Sequence, residues 1–218
     1  EKQIVCLQGF SNIEECIYCS QNNIRPVVHN HEQVNIIKNT NLQKPISIWI
    51  KFDTGMNRLG FKETDLATLI NEVKDKTQYP IGIMTHLACA DDDHDNFSQK
   101  QIERFHDIVK NTKAEFSIFN SAGVIKYFKK YQNFSEWIRP GIMLYGVSPL
   151  SNCENDINIK PAMTLVAPVI SIKKCKQGEK IGYGHTYEFK KDTMIASLGI
   201  GYGDGVSRNL TNTGKVFF

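Results

Sequence analysis

Four short apolar runs are each followed by residues able to bind an anion or move a proton. Lys51-Phe52-Asp53-Thr54-Gly55-Met56-Asn57-Arg58-Leu59-Gly60 follows the run 45–50, and His86-Leu87-Ala88-Cys89-Ala90-Asp91 follows 81–85. Asn120-Ser121-Ala122-Gly123 follows 115–119, and Ile138-Arg139-Pro140-Gly141-Ile142 lies near a further apolar stretch. A lysine, two arginines, a histidine and a serine in such positions suit an anionic ligand. The Ser121 hydroxyl and the backbone N–H groups of Gly141 and Ile142 can cradle a phosphate. Arg58 and Arg139 can pair with carboxylate or other oxygens. Each residue also has an ordinary reading. Lys51 could be a solvated strand tip, Arg58 loop decoration, His86 a buried histidine bonded to a carbonyl, and Ser121 a helix cap. Four such clusters after four runs favour one shared site.

Two further runs frame tyrosines with glycine, Lys180-Ile181-Gly182-Tyr183-Gly184-His185-Thr186-Tyr187 and Gly199-Ile200-Gly201-Tyr202-Gly203-Asp204-Gly205. Tight turns with exposed Tyr183 and Tyr202 rings are expected there. A phenol titrates near pH ~10, so it works as a base only where a neighbouring cation or histidine lowers it. Asp91-Asp92-Asp93-His94-Asp95 has the composition of metal ligands, but it precedes a helical pattern, where carboxylates cap and complement the dipole. Cys16 and Cys19 form a CxxC with no second pair or His pair at zinc spacing. No metal site is expected. His29 and His31 are read as structural.

Regular alternation places these residues. Strand candidates are 3–7, 25–29, 45–52, 81–86 and 115–119, with a sixth near 137–145. Helical patterns lie near 12–22, 31–40, 63–76, 97–112 and 121–131; in 63–76, Leu66, Leu69, Ile70 and Val73 form one face. Alternating strands and helices, with nearly continuous apolar strands, imply a parallel sheet covered by helices, in which function collects at the carboxyl ends. An open doubly wound sheet and part of a (β/α)8 barrel both fit. No GxGxxG follows the first strands, which weakens the dinucleotide-binding alternative. After residue 150 the pattern changes. A polar run, 151–156, precedes β-rich segments at 163–172 and 194–200 with no helix between them. Residues 1–150 therefore read as a parallel α/β domain, an open sheet or part of a barrel, and 151–218 as the beginning of a mostly β domain.

Composition narrows the classes. Of 218 residues, 41% are hydrophobic and 22% charged, which excludes a mainly disordered chain. The net charge of +3 comes from scattered residues and gives no argument for nucleic acid or a membrane surface. Of the six cysteines, the four outside the CxxC are dispersed and suit a reducing cytoplasm. The chain opens into one strand candidate and closes on another, 214–218, so an internal piece of a longer protein is expected.

These runs resemble bacterial alanine racemase, a fold-type III pyridoxal-phosphate (PLP) family. The matches are KFDTGMNRLG at 51–60, THLACAD at 85–91, NSA at 120–122, IRPGIMLYG at 138–146, EKIGYGHTY at 179–187 and GIGYGDG at 199–205. The first and the paired glycine–tyrosine runs are specific, and all occur in family order. The resemblance implies an amino-terminal (β/α)8 barrel, of which the candidates here would be strands three to eight. A mostly β domain would follow, in a head-to-tail homodimer. It implies a cytoplasmic enzyme interconverting L- and D-alanine to supply cell-wall precursors.

Residue by residue, Tyr183 resembles the catalytic tyrosine that serves the partner subunit's site, and His86 the histidine that tunes it. Arg139 resembles the arginine facing the PLP pyridine nitrogen. Arg58 resembles the one contacting the cofactor and the substrate carboxylate. Lys51 resembles a lysine often carbamylated to hold that arginine. Ser121, Gly141 and Ile142 resemble phosphate-binding positions, and Tyr202 a tyrosine lining the entrance. The family's Schiff-base lysine, in a run like VVKANAYGHG, has no counterpart in this sequence, nor has a later Cys-Met-Asp motif. Little or no activity is expected of this chain alone, and racemisation of the intact protein. The alternatives are a non-catalytic remnant or proteolytic core, and a serine or broad-specificity racemase.

Overall fold

The computed structural model describes residues 2–62, 66–78, 80–92, 94, 96–150 and 158–215. The chain forms two compact units, Glu1–Ala162 and Met163–Phe218.

The first unit alternates strand and helix: β1 (Ile4–Cys6), α1 (Ile13–Gln21), β2 (Ile24–Val28), α2 (His31–Asn39), β3 (Trp49–Lys51), α3 (Leu66–Val73), β4 (Gly82–Met84), α4 (Phe97–Val109), β5 (Glu115–Ser117) and α5 (Ser121–Tyr131). The five strands pair in chain order, all parallel. This is the expected partial (β/α)8 barrel. The sixth strand is reduced to a single parallel bridge, Ser117 with Trp137. Pro140 and Gly141 follow at once, and Ile142–Tyr145 wind into a 3-10 turn instead. Proline has no N–H for a ladder, so pairing stops there.

Asparagine starts three of the helices. The side chains of Asn12, Asn30 and Asn120 accept hydrogen bonds from the N–H groups of Glu15, Gln33 and Gly123. Each satisfies one of the donors a helix start leaves open. Glu15 and Gln33 reach back to the Ser11 and His29 N–H groups and close the turn from the other side.

Both faces of the sheet are covered, which explains the unbroken apolar strands. Val28, Ile50 and Ile83 face the helices and pack with Ile37, Leu69, Ile102 and Phe105. Their strand neighbours Val27, Trp49 and Met84 face the other way, with Val5 and Trp137 against them. Arg25 lies between the Trp49 and Trp137 rings, 5.0 and 5.7 Å from their centroids, and pairs with Glu115. Gly82 makes room for Trp49, because a Cβ there would sit 2.2 Å from the indole ring. Cys16 and Cys19 are buried on α1, and burial raises both thiols to about 11. They are packing residues, since the reactive thiolate is suppressed.

The second unit holds two antiparallel pairs, β6 (Val169–Cys175) with β9 (Thr193–Leu198), and β7 (Lys180–Ile181) with β8 (Tyr187–Glu188). It is β-rich without an α-helix among the described residues, as expected. The first β segment starts pairing at Val169 rather than 163. The polar run 151–156, Asp93 and Asp95 of the acidic run, and the closing residues 216–218 lie outside the described residues. No described helix is long and apolar enough to cross a membrane.

Gly82→Ala tests the inner face. The methyl group collides with a ring that is itself fully enclosed, so the variant loses about 1–3 kcal/mol by denaturant unfolding. A change within experimental error would show that the Trp49 side relaxes freely.

Candidate active site

The carboxyl ends of β4 and β5 bring His86, Ser121, Arg139, Gly141 and Ile142 to one cleft, with Lys51 at the end of β3 and Arg58 beside a neighbouring hollow. Arg139 sits after the single bridge at Trp137, its backbone N–H bonded to the Phe119 carbonyl at 2.9 Å. Its guanidinium turns inward. One Nη donates to the Ser117 hydroxyl; the other donates to the Thr85 and Ile118 carbonyls and lies 3.4 Å from His86 Nδ1. Neutral oxygens thus satisfy this cation, and it ties the ends of β4 and β5 together. Burial lowers the Arg139 guanidinium to about 10, which leaves it charged at neutral pH.

That charge acts on its neighbours. His86 is lowered to about 4, first by burial, then by Arg139, Arg58 and Lys51. Its imidazole is uncharged at neutral pH. Because Arg139 is only a donor, the His86 nitrogen facing it must be the acceptor. This assigns the N–H to Nε2, on the opposite edge of the ring. Lys51, buried at the end of β3, is lowered to about 8 by burial and by the same two arginines, with Asp53 opposing.

Ser121 is the first residue of α5, not its cap; Asn120 holds that place and also donates to the Leu87 carbonyl at 3.2 Å. The cap reading of Ser121 is therefore corrected. Its hydroxyl is free to face the loop beyond Arg139, where it accepts from the N–H groups of Gly141 at 2.8 Å and Met143 at 3.3 Å. A Cβ built on Gly141 meets nothing within 4 Å, so the backbone there borders open space. His86, Asp91, Asn120, Ser121, Arg139, Gly141 and Ile142 line a single cleft of about 500 Å³. The Ser121 hydroxyl, the start of α5 and the Gly141–Ile142 backbone border the same cleft as His86 and Arg139, a lining that fits a phosphate-bearing ring compound.

Arg58 is exposed and borders a neighbouring hollow with His29, Asn30, Asp53 and Asn57. It is still close enough to influence both Lys51 and His86. Asp53 shapes its loop by accepting from the N–H groups of Gly55 and Asn57, both at 3.0 Å. Gly60, at φ +130°, lets the loop return against the Phe52 and Asp53 backbone. His31 stacks edge-on against Phe61, in keeping with a structural role.

Tyr183 and Tyr202 belong to the second unit. Gly182 and Gly184, at φ 76° and 72°, bracket Tyr183, whose side chain is 94% exposed. Tyr202 is also exposed, on a turn closed by a Gly201 N–H to Asp204 bond of 2.9 Å. The expected glycine-framed turns are present.

Sequence reasoning missed the supports. Ser117, Thr85 and Gln101 hold Arg139 and His86 in place, yet none belongs to a periodic pattern. Thr85 had a signal only as the first residue of the 85–91 match, and Asn120 as an asparagine just before a helical run.

Residues 1–149 match the family model described as alanine racemase, N-terminal domain, and residues 162–218 match alanine racemase, C-terminal domain. An alanine racemase of Coxiella burnetii is 40% identical over 215 residues, covering 94% of this chain and 58% of that protein. The biosynthetic alanine racemase from Pseudomonas aeruginosa has a similar structure, with a TM-score of 0.82 and 30% identity over 95% of this chain and 58% of the other. Alanine racemase from Bartonella henselae, solved with covalently bound pyridoxal phosphate, gives 0.74 and 26% over 95% and 57%. The chain thus spans about 58% of the length of these relatives. With both domain models matched in order, the chain belongs to the alanine racemase family.

Proposed function

We propose that the whole protein carrying these residues is a cytoplasmic, PLP-dependent alanine racemase that supplies D-alanine for cell-wall precursors. It works as a homodimer with active sites shared between subunits. Residues 1–150 form its cofactor-holding partial barrel, and 151–218 begin its β-rich domain. The observation that carries this reading is the cleft in which Ser121 and the Gly141 backbone face the same space as His86 and Arg139.

Ser121, Gly141 and Ile142 would hold the phosphate, and Arg139 the pyridine nitrogen. PLP, when bound, withdraws electrons from the amino acid and acidifies its Cα–H. Arg139 keeps its own proton and so would leave a ring nitrogen beside it unprotonated, which would weaken the electron sink and disfavour transamination. Arg58 would bind the substrate carboxylate, with Lys51 beside it as the carbamylation position. Tyr202 would line the entrance. Tyr183 of the partner subunit moves the proton at Cα on one face. The Nε2–H of neutral His86 would stabilise the phenolate form of that tyrosine and so lower its pKa, making more of the base available at neutral pH. The opposite-face base would be the family's Schiff-base lysine, which has no counterpart among these 218 residues, so little or no racemisation is expected of them alone.

The test is direct. The whole protein should show the visible absorbance of bound PLP and form D-alanine from L-alanine faster than serine is turned over. Failure to bind PLP would overturn the reading. Tyr183→Phe should lower racemisation in both directions by about 10²–10⁴-fold; an unchanged rate would remove this phenol from the chemistry.

The His86 environment also predicts a pH dependence of stability. Its folded-state value is lowered from 6.5 to about 4, so between these limits the unfolded chain binds more protons. Stability therefore falls as pH drops from about 6.5 towards 4. His86→Asn should flatten that part of a denaturation-midpoint curve against pH. An identical slope would mean that other groups carry it.

A further inference from the structure

Gln101 lies on α4, and its side chain is fully buried. Its Oε1 accepts from the Ala88 N–H at 2.8 Å. Its Nε2 donates to the His86 carbonyl at 3.0 Å and to the Thr54 hydroxyl at 3.4 Å. The Thr54 hydroxyl shares a 2.8 Å bond with that of Thr85, the residue before His86. Arg104, one turn further along α4, donates to the Thr54 carbonyl at 3.3 Å. One amide thereby joins the loop after β3, which carries Arg58, to the loop after β4, which carries His86.

The chemistry of the side chain matters here. The three partners require one acceptor and two donors, which a neutral carboxamide supplies. An ionised glutamate has no donor, and methionine has neither function at useful strength. Thr85 closes the circuit from the other side, because its carbonyl receives Arg139 while its hydroxyl meets Thr54.

We propose that Gln101 is a positioning residue that sets His86, and through Thr54 the Arg58 loop, for proton transfer and carboxylate binding. The role rests on the racemase reading for its functional meaning. The placement of His86 can be measured without it. His86 is faced by Arg139 from the segment after Trp137, by Arg58 and Lys51 from the β3 end, and by Asp91 across the cleft. Releasing the His86 backbone lets the ring move away from Arg139 and into water, so its titration moves up towards the ordinary value.

The experiment compares the wild-type whole protein with Gln101→Met and Gln101→Glu. His86 titration is followed by NMR, and alanine racemisation by steady-state kinetics. In Gln101→Met the His86 titration should move upward and kcat should fall on the order of tenfold to a hundredfold. Bound PLP, held by α5 and the Gly141 loop, should keep its absorbance. Gln101→Glu should behave like wild type at acidic pH, where a protonated carboxyl retains an acceptor and one donor, and like Gln101→Met at alkaline pH. This rescue separates positioning from bulk packing. If Gln101→Met does not fold, the pH comparison within Gln101→Glu decides. A His86 titration and kcat that match wild type in the folded variants overturn the proposal. A displaced His86 titration in a protein that never racemises alanine upholds the positioning and removes the racemase reading instead.

Discussion

A buried guanidinium without a carboxylate partner organises this site. Arg139 cannot readily shed its proton, so its Nη groups must find oxygens wherever they point. Those they find are the Ser117 hydroxyl and the carbonyls of Thr85 and Ile118. These oxygens belong to the ends of adjacent strands. The cation thus acts as a clasp across β4 and β5 and retains its full field, since no described acid neutralises it. That field, added to burial, makes His86 a neutral hydrogen-bonding group and weakens the proton affinity of Lys51.

The clasp depends on how the sheet is filled beneath it. Trp49, Met84 and Trp137 pack on the inner face and, with Arg139, border a hollow of about 330 Å³, and Arg25 threads between the two indoles with Glu115 as counter-ion. Large aromatic rings leave little space, and glycine at 82 is the consequence. The two faces of the sheet therefore do different work. Aliphatic side chains bind the helices on one, and aromatic rings fill the other, with the Arg25–Glu115 pair at the amino ends of β2 and β5. Asparagine caps then start α1, α2 and α5, and the start of α5 is also the edge of the cleft.

The second unit contributes differently. Leu165 and Val166, before β6, and Ile170, within it, are largely exposed, and Tyr183 stands out from its glycine turn. A phenol so placed is suited to chemistry on a surface other than its own turn, which accords with the shared active site proposed above. Burial would have restricted its reach. Two glycines at positive φ hold it out instead.

Much of this was legible in the chain itself. Short continuous apolar runs and period-3.6 patterns specify β2 through α5 within a few residues, because strands covered on both faces and helices covered on one must bury them. Strand-to-helix turns announced Lys51, His86, Ser121 and Arg139, since parallel sheets gather function at those ends. The glycine-framed tyrosines followed from backbone sterics. Other features needed the tertiary structure. Pro140 and Gly141 cut the sixth strand to one bridge, and only the accommodation of Asn120 at the helix start freed the Ser121 hydroxyl for the Gly141 loop. Gln101 and Ser117 have no local signature, because hydrogen-bond partners 13 to 47 residues apart carry no periodicity. Residue type and spacing determine which elements form and where their ends lie. Which polar atoms meet there, and so which charges and tautomers prevail, depends on distances that exist only once the sheet has assembled.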